Sequence, residues 1–155
     1  MTLIDRISEH IKTAMKAKDK LRLETYRSIK KVLLDKEVSL RPSGQTELNP
    51  EQEIDALTQL AKQRRDAIEQ YTKADRPDLA EKEALELAVI EEFLPQQMTD
   101  IEVGAAIDAI VTQLGATSAK DMGKVMGVAM QQLKGKADGK KVQEQVKAKL
   151  NSGSA

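Results

Sequence analysis

The sequence has no cysteine and no tryptophan, and its only aromatic residues are two tyrosines and one phenylalanine. Without cysteine there is no disulfide framework and no thiol chemistry, a composition that fits a reducing compartment. There is one histidine, His10, set between Glu9 and Ile11 on an amphipathic stretch. A metal site needs several ligands at matched spacing, and one histidine without cysteine does not supply them. His10 is therefore read as a surface or boundary residue, with no metal and no cofactor expected. No apolar run approaches the roughly 20 residues of a membrane span. The N-terminus enters an amphipathic helix directly, without a signal-peptide core. A soluble, cytoplasmic protein with no membrane partner is the expectation. No glycine-rich phosphate loop is present, and no aromatic residue follows Phe93.

What remains is a chain of helix formers. Charged residues make up 32% and apolar residues 40%, and the latter recur at helical spacing, so the profile is not that of a disordered chain. Thr2 and Asp5 suit a capping box before a stripe of Ile4, Ile7, Ile11, Ala14 and Met15. A turn at Lys16–Lys20 precedes a second helix reaching about Leu40, on Leu21, Tyr26, Ile29, Val32, Leu33 and Leu34. Asn49-Pro50 opens a third, with Ile54, Leu57, Ala61, Ile68 and Tyr71 in its stripe and Arg64 among them. Ala74–Pro77 breaks it, and a fourth helix stops near Pro95. Thr99 and Glu102 form another box before a helix with Val103, Ile107, Ile110, Val111 and Leu114 inward, ended by Gly115. Ser118 and Asp121 open a helix to about Leu133, closed by Gly135, and Asp138 caps the last one. The fold class is all-α: a four-helix region over residues 1–95, then a small three-helix tail domain over 96–150. Residues 151–155 are expected to be a disordered tail.

A net charge of zero hides an uneven distribution. Residues 77–114 carry one cationic and nine anionic side chains, whereas residues 115–155 carry eight and three. The basic end points to a polyanion, and the acidic stretch to a solvated face or an internal restraint on it. Lys134, Lys136, Lys140 and Lys141 crowd a turn containing Gly135 and Gly139, with Lys124 on the preceding helix. The backbone amides of Gly139, Lys140 and Lys141 add further phosphate-binding capacity. Without aromatic residues, recognition of RNA here is by shape and backbone, not by stacking on bases.

The acidic residues Glu81, Glu83, Glu86, Glu91 and Glu92 are read mainly as a solvated helix face. Glu83 and Glu86 lie close to the apolar stripe, and Arg64 or Arg65 is their expected ion-pair partner, because buried charges must be paired. Gly123 and Gly127 need a reason inside a helix, since each costs roughly 1 kcal/mol against alanine. Close packing of a neighbouring helix is favoured over approach of a nucleic-acid backbone to an uncovered face. Met122, Met126 and Met130 are read as deformable core.

Four blocks together resemble the YqeY family: Lys62-Gln-Arg-Arg-Asp-Ala-Ile-Glu-Gln-Tyr71, Ala80–Glu83 running into Glu92–Pro95, Lys120–Met126 and Gly135–Val142. That family is related to the C-terminal part of the GatB component of the glutamine-dependent tRNA amidotransferases. The related region is also an appendage on some bacterial glutaminyl-tRNA synthetases. The resemblance implies a helical N-terminal domain, a three-helix tail and a bacterial setting. It also implies candidate tRNA contacts at Gly123, Lys124, Lys134, Gly135, Lys136, Ala137, Lys140 and Lys141. The family's label of carbon–nitrogen ligase with glutamine as amido donor belongs to multidomain relatives, whose amidase and ATP-site residues have no counterpart here. A stand-alone tRNA-binding accessory module is the leading reading. A module docking on an amidotransferase or aminoacyl-tRNA synthetase is the alternative, and an independent enzyme comes third.

Overall fold

The computed structural model describes residues 1–152 and is all-α, with no strand among them. Its seven α-helices are α1 Leu3–Ala17, α2 Lys20–Leu40, α3 Pro50–Lys73, α4 Pro77–Glu91, α5 Asp100–Leu114, α6 Met122–Gln132 and α7 Gly139–Ser152. Contacts divide the chain into two compact units, Met1–Leu94 with α1 to α4, and a second from Pro95 onward with α5 to α7.

Local chemistry sets most helix ends. Thr2 and Asp5, Asn49 and Gln52, and Thr99 and Glu102 form reciprocal capping boxes, and Pro50 occupies the first turn of α3. Gly115 closes α5 at φ +64°. Between α1 and α2 the left-handed position is taken by Lys18 at φ +55°, and Asp19 then caps α2 by accepting from the Arg22 amide at 3.1 Å. The α4 helix ends at Glu91, short of Pro95, and tightens: Phe93 N–H donates to Ile90 O at 3.0 Å and Leu94 N–H to Glu91 O at 3.2 Å. The pyrrolidine ring of Pro95 disfavours helical backbone at the residue before it. The Ser118 box opens a single 3-10 turn over Ala119–Asp121, so α6 starts only at Met122. Asn151 and Ser152 continue α7, against the expected disordered tail, because no glycine or proline interrupts the helix before Gly153. The rest of that expected tail, residues 153–155, lies outside the described residues.

In the first unit α2 is central, touching α1, α3 and α4, and α3 pairs along α4. Ile7, Ile29, Leu33, Leu57 and Ile90 form the fully buried centre of its core. Met15 and Leu34, expected inside, are 55% and 39% exposed, at the edges of their stripes. Leu3 is buried instead, with its amide donating to Glu53 Oε2 at 2.9 Å. In the second unit Val103, Ile107, Ile110, Val125, Ala129, Val142, Val146 and Leu150 close one core. Leu114, expected inward, is 43% exposed at the C-terminal end of α5.

Candidate nucleic-acid interface

The lysine turn between α6 and α7 is held by its backbone. Gly135 is buried at φ +75°, where a side chain would be strained. Lys136 N–H donates to Leu133 O at 2.9 Å, bending the chain back on the end of α6. A strap at Pro95–Met98 fixes the outer side. Gln97 Nε2 donates to Gly135 O at 2.7 Å, and Met98 N–H donates to Lys136 O at 2.8 Å. Two carbonyls of the turn are thereby satisfied within the same unit. Gln97 and Met98 were not recognised from sequence as site residues. The one available hint was the polar pair Gln96-Gln97 after Pro95, which reads as a boundary.

Lys134, Lys136, Lys140 and Lys141 are all exposed around this turn. Ala137 and Gly139 are half-buried, and a Cβ added at Gly139 would lie 3.2 Å from Met130 Cε. The Met130 side chain thus lies against the start of α7. Asp138 accepts from the Lys140 amide at 3.4 Å, so a carboxylate already stands at an amide expected to serve phosphate. Lys141 Nζ lies 3.5 Å from Asp100 Oδ1, and Lys149 pairs with Asp108. No ion pair holds Lys136 or Lys147 among the described residues.

Gly123 and Lys124 stand apart from that group. They open α6, an 11-residue helix that spans about 16 Å. Both glycines of α6 are exposed, and a Cβ at either would meet nothing within 4 Å. The expectation that Gly123 and Gly127 pack against a neighbouring helix does not hold. Val125, Ala129 and Leu133 form the inward face, and a step of two residues turns about 200° around a helix, which puts the glycines on the opposite side. Met122 and Met126 pack on the core as expected, whereas Met130 is 41% exposed. Beside Lys124, Asp121 accepts from the amides of Thr117 at 3.0 Å and Ser118 at 3.4 Å, and these bonds, the Thr117 one foremost, hold its carboxyl below the usual range. The candidate residues therefore form two groups at opposite ends of α6.

Chemistry in the first unit is that of ion pairs. Arg64 Nε lies 2.9 Å from Glu86 Oε2 and 3.3 Å from Glu83 Oε2, the pairing expected from sequence. Glu86 is buried, and this desolvation pushes its carboxyl up against the opposing pull of Arg64. Arg65 meets Glu91 at 3.5 Å. His10 is exposed at the boundary, its ring 5.2 Å from those of Tyr26 and Phe93. Arg22 grips Glu92 through two 3.0 Å bonds and donates to the Tyr26 hydroxyl at 2.8 Å. A cleft of about 520 Å³ between α2 and α3 is lined by Asp35, Lys36, Asp55, Gln59 and Gln63 over Val32, Ala56 and Leu60. No group of acidic, histidine or cysteine side chains among the described residues has the geometry of a metal site. No helix among them is long and apolar enough to cross a membrane.

The family model described as Yqey-like protein matches residues 4–150. A relative from Kluyveromyces lactis, "Altered inheritance of mitochondria protein 41, mitochondrial", is 31% identical over 145 residues, which is 94% of this chain and 74% of that protein. The protein of the same name from Lachancea thermotolerans is 30% identical over 72% of this chain and 59% of its own length. That from Pyrenophora tritici-repentis is 28% identical over 95% of this chain and 82% of its own. The chain thus spans between about half and four-fifths of the length of the relatives it matches. These relatives are fungal and are named as mitochondrial, which overturns the expectation of a cytoplasmic protein and gives no support to a bacterial setting. That expectation rested on missing cysteine and missing apolar runs, and the composition of a helical body carries no compartment address.

Proposed function

The chain belongs to the YqeY family, and from that premise we propose that it is an accessory module that holds tRNA by its sugar–phosphate backbone and leaves amidation or aminoacylation chemistry to another protein. The observation that carries this reading is the strapped turn: Gln97 and Met98 fix the backbone of Gly135 and Lys136, and the side chains of Lys134, Lys136 and Lys140 project around it. Basic side chains on a preset backbone bind phosphates at a lower ordering cost than the same lysines on a loose loop. The uncovered glycine face of α6, with Lys124 beside Gly123, offers a second point of close approach. Because the second unit has no aromatic residue, contact is to phosphate and ribose and not by stacking.

The test is a titration of bulk tRNA with the full chain at several salt concentrations. Neutralising four phosphates gives a slope of log K against log salt of roughly −3 to −4. Lys136→Glu is expected to weaken binding similarly for every tRNA and to flatten the slope by about one or more, since it replaces a cation with an anion. Absence of binding at low salt would overturn the reading.

A further inference from the structure

The α5 and α7 helices run parallel and in register. Three contacts recur at one constant offset in sequence: Asp100 with Lys141, Gly104 with Gln145 and Asp108 with Lys149. The middle contact is close. A Cβ at Gly104 would lie 3.0 Å from Gln145 Oε1, and Gln145 Nε2 donates to Asp100 O at 3.2 Å. On each helix the charged partners are eight residues apart, about 12 Å along the axis. Two aspartates on one helix thus meet two lysines on its neighbour.

All four side chains are well exposed, from 46% for Lys149 to 73% for Asp100. Ion pairs this wet contribute little to stability and weaken with salt. Their larger effect falls on whatever else approaches the lysines. A phosphate reaching Lys141 or Lys149 must displace a carboxylate or sit beside one.

We propose that Asp100 and Asp108 are built-in competitors that withhold Lys141 and Lys149 from a polyanion, so that contact falls on lysines outside the strip such as Lys136. The aspartates then set specificity: they limit adhesion to arbitrary polyanions and leave the binding of a matching backbone to the strapped turn. This rests on the polyanion reading given above.

The test compares the full wild-type chain, Asp100→Asn/Asp108→Asn, Lys141→Gln/Lys149→Gln and the quadruple variant, each titrated with bulk tRNA between about 0.05 and 0.2 M salt. Releasing two lysines to phosphate steepens the salt slope of the double asparagine variant by about 1.4 to 1.8. Its advantage over wild type then grows by about eightfold from 0.2 to 0.05 M salt, which is a fourfold dilution raised to about the power 1.5. Removing the two lysines costs much more on the asparagine background than on wild type. Helical circular dichroism, unchanged across the set, confirms that each variant is folded. Wild-type binding with the same slope in the asparagine variant would overturn the inference alone. Equal lysine effects on both backgrounds would do the same, because the lysines would then already be engaged. If neither wild type nor the asparagine variant binds, the polyanion reading itself fails and takes this inference with it.

Discussion

Replacing Arg64 with methionine separates an ion pair that supports the fold from one that decorates it. Arg64 lies within the apolar stripe of α3 and faces two carboxylates of α4, with side-chain exposures of 19% for Arg64, 20% for Glu83 and 10% for Glu86. Its Nε and Glu83 Oε2 are buried without an aligned hydrogen-bond partner, so the attraction is mainly charge on charge. Removing one partner of a fully buried pair costs about 3–5 kcal/mol, and of an exposed pair about 0–1 kcal/mol. At this burial Arg64→Met is expected to cost about 2–3 kcal/mol, which lowers the melting point of a unit this size by about 10–20 °C. Tyrosine fluorescence is a suitable probe, because Tyr26 and Tyr71 both lie in the first unit and there is no tryptophan.

The cost should also depend on pH with a definite sign. Burial raises the Glu86 carboxyl above its ordinary value, and proximity to Glu83 adds to this, while Arg64 opposes both. A carboxyl raised on folding stabilises the fold below its unfolded value, and that contribution is lost as pH rises through the folded value. Without Arg64 the folded value rises further. The damage from Arg64→Met is therefore largest near neutrality and shrinks as pH falls towards the ordinary glutamate value of about 4.3. Arg64→Met/Glu86→Leu should recover part of the loss, because it removes the more buried of the two orphaned carboxylates and leaves Glu83. The same loss at about pH 5 and pH 8, or a double variant no better than the single one, would refute the reasoning.

Two further perturbations act elsewhere. Glu92 has the opposite sign to Glu86: its bonds to Arg22 hold the carboxyl below the usual range, so its contribution is present above the unfolded value and lost as pH falls through the lowered one. At 41% and 48% exposure the Arg22–Glu92 pair is well solvated, and Glu92→Gln is expected to cost about 0.5–1 kcal/mol near neutral pH and close to nothing in strong acid, measured by the same fluorescence melts. Thr99→Ala removes the hydroxyl that accepts from the Glu102 amide at 3.1 Å, and should cost about 1 kcal/mol in the second unit. Amide hydrogen exchange at Val103 and Ile107 reads this directly, with α3 and α4 as the unaffected reference.

How much could be read from sequence depended on range. Capping boxes join residues three apart, so the starts of α1 and α5 were legible from local chemistry, as were that of α3 from Asn49-Pro50 and the left-handed Gly115. The left-handed Lys18 was not, because no rule of local preference puts lysine there. Arg64 with Glu83 and Glu86 was legible because a charge inside an apolar stripe demands a partner. The α6 glycines were misjudged because a small residue is compatible with a tight contact and with an empty one. Only the phase of Val125, Ala129 and Leu133 tells them apart.

The basic tail illustrates what a linear count misses. Cut at residue 114, the last segment holds eight cations and three anions, but the folded unit begins at Pro95 and gathers six anions. Asp100 and Asp108 enter the same electrostatic neighbourhood as Lys141 and Lys149 only because α7 lies parallel to α5, with the Gln145 side chain laid against Gly104 between the two pairs. Within this unit, Asp100 and Asp108 of one helix bring part of the acidic stretch to the basic end. A charge excess read along the chain thereby becomes a choice among lysines: those against α5 are answered at once, and Lys136 on the strapped turn meets no carboxylate among the described residues. The specificity of such a surface then lies in the positions of its aspartates as much as in the number of its lysines.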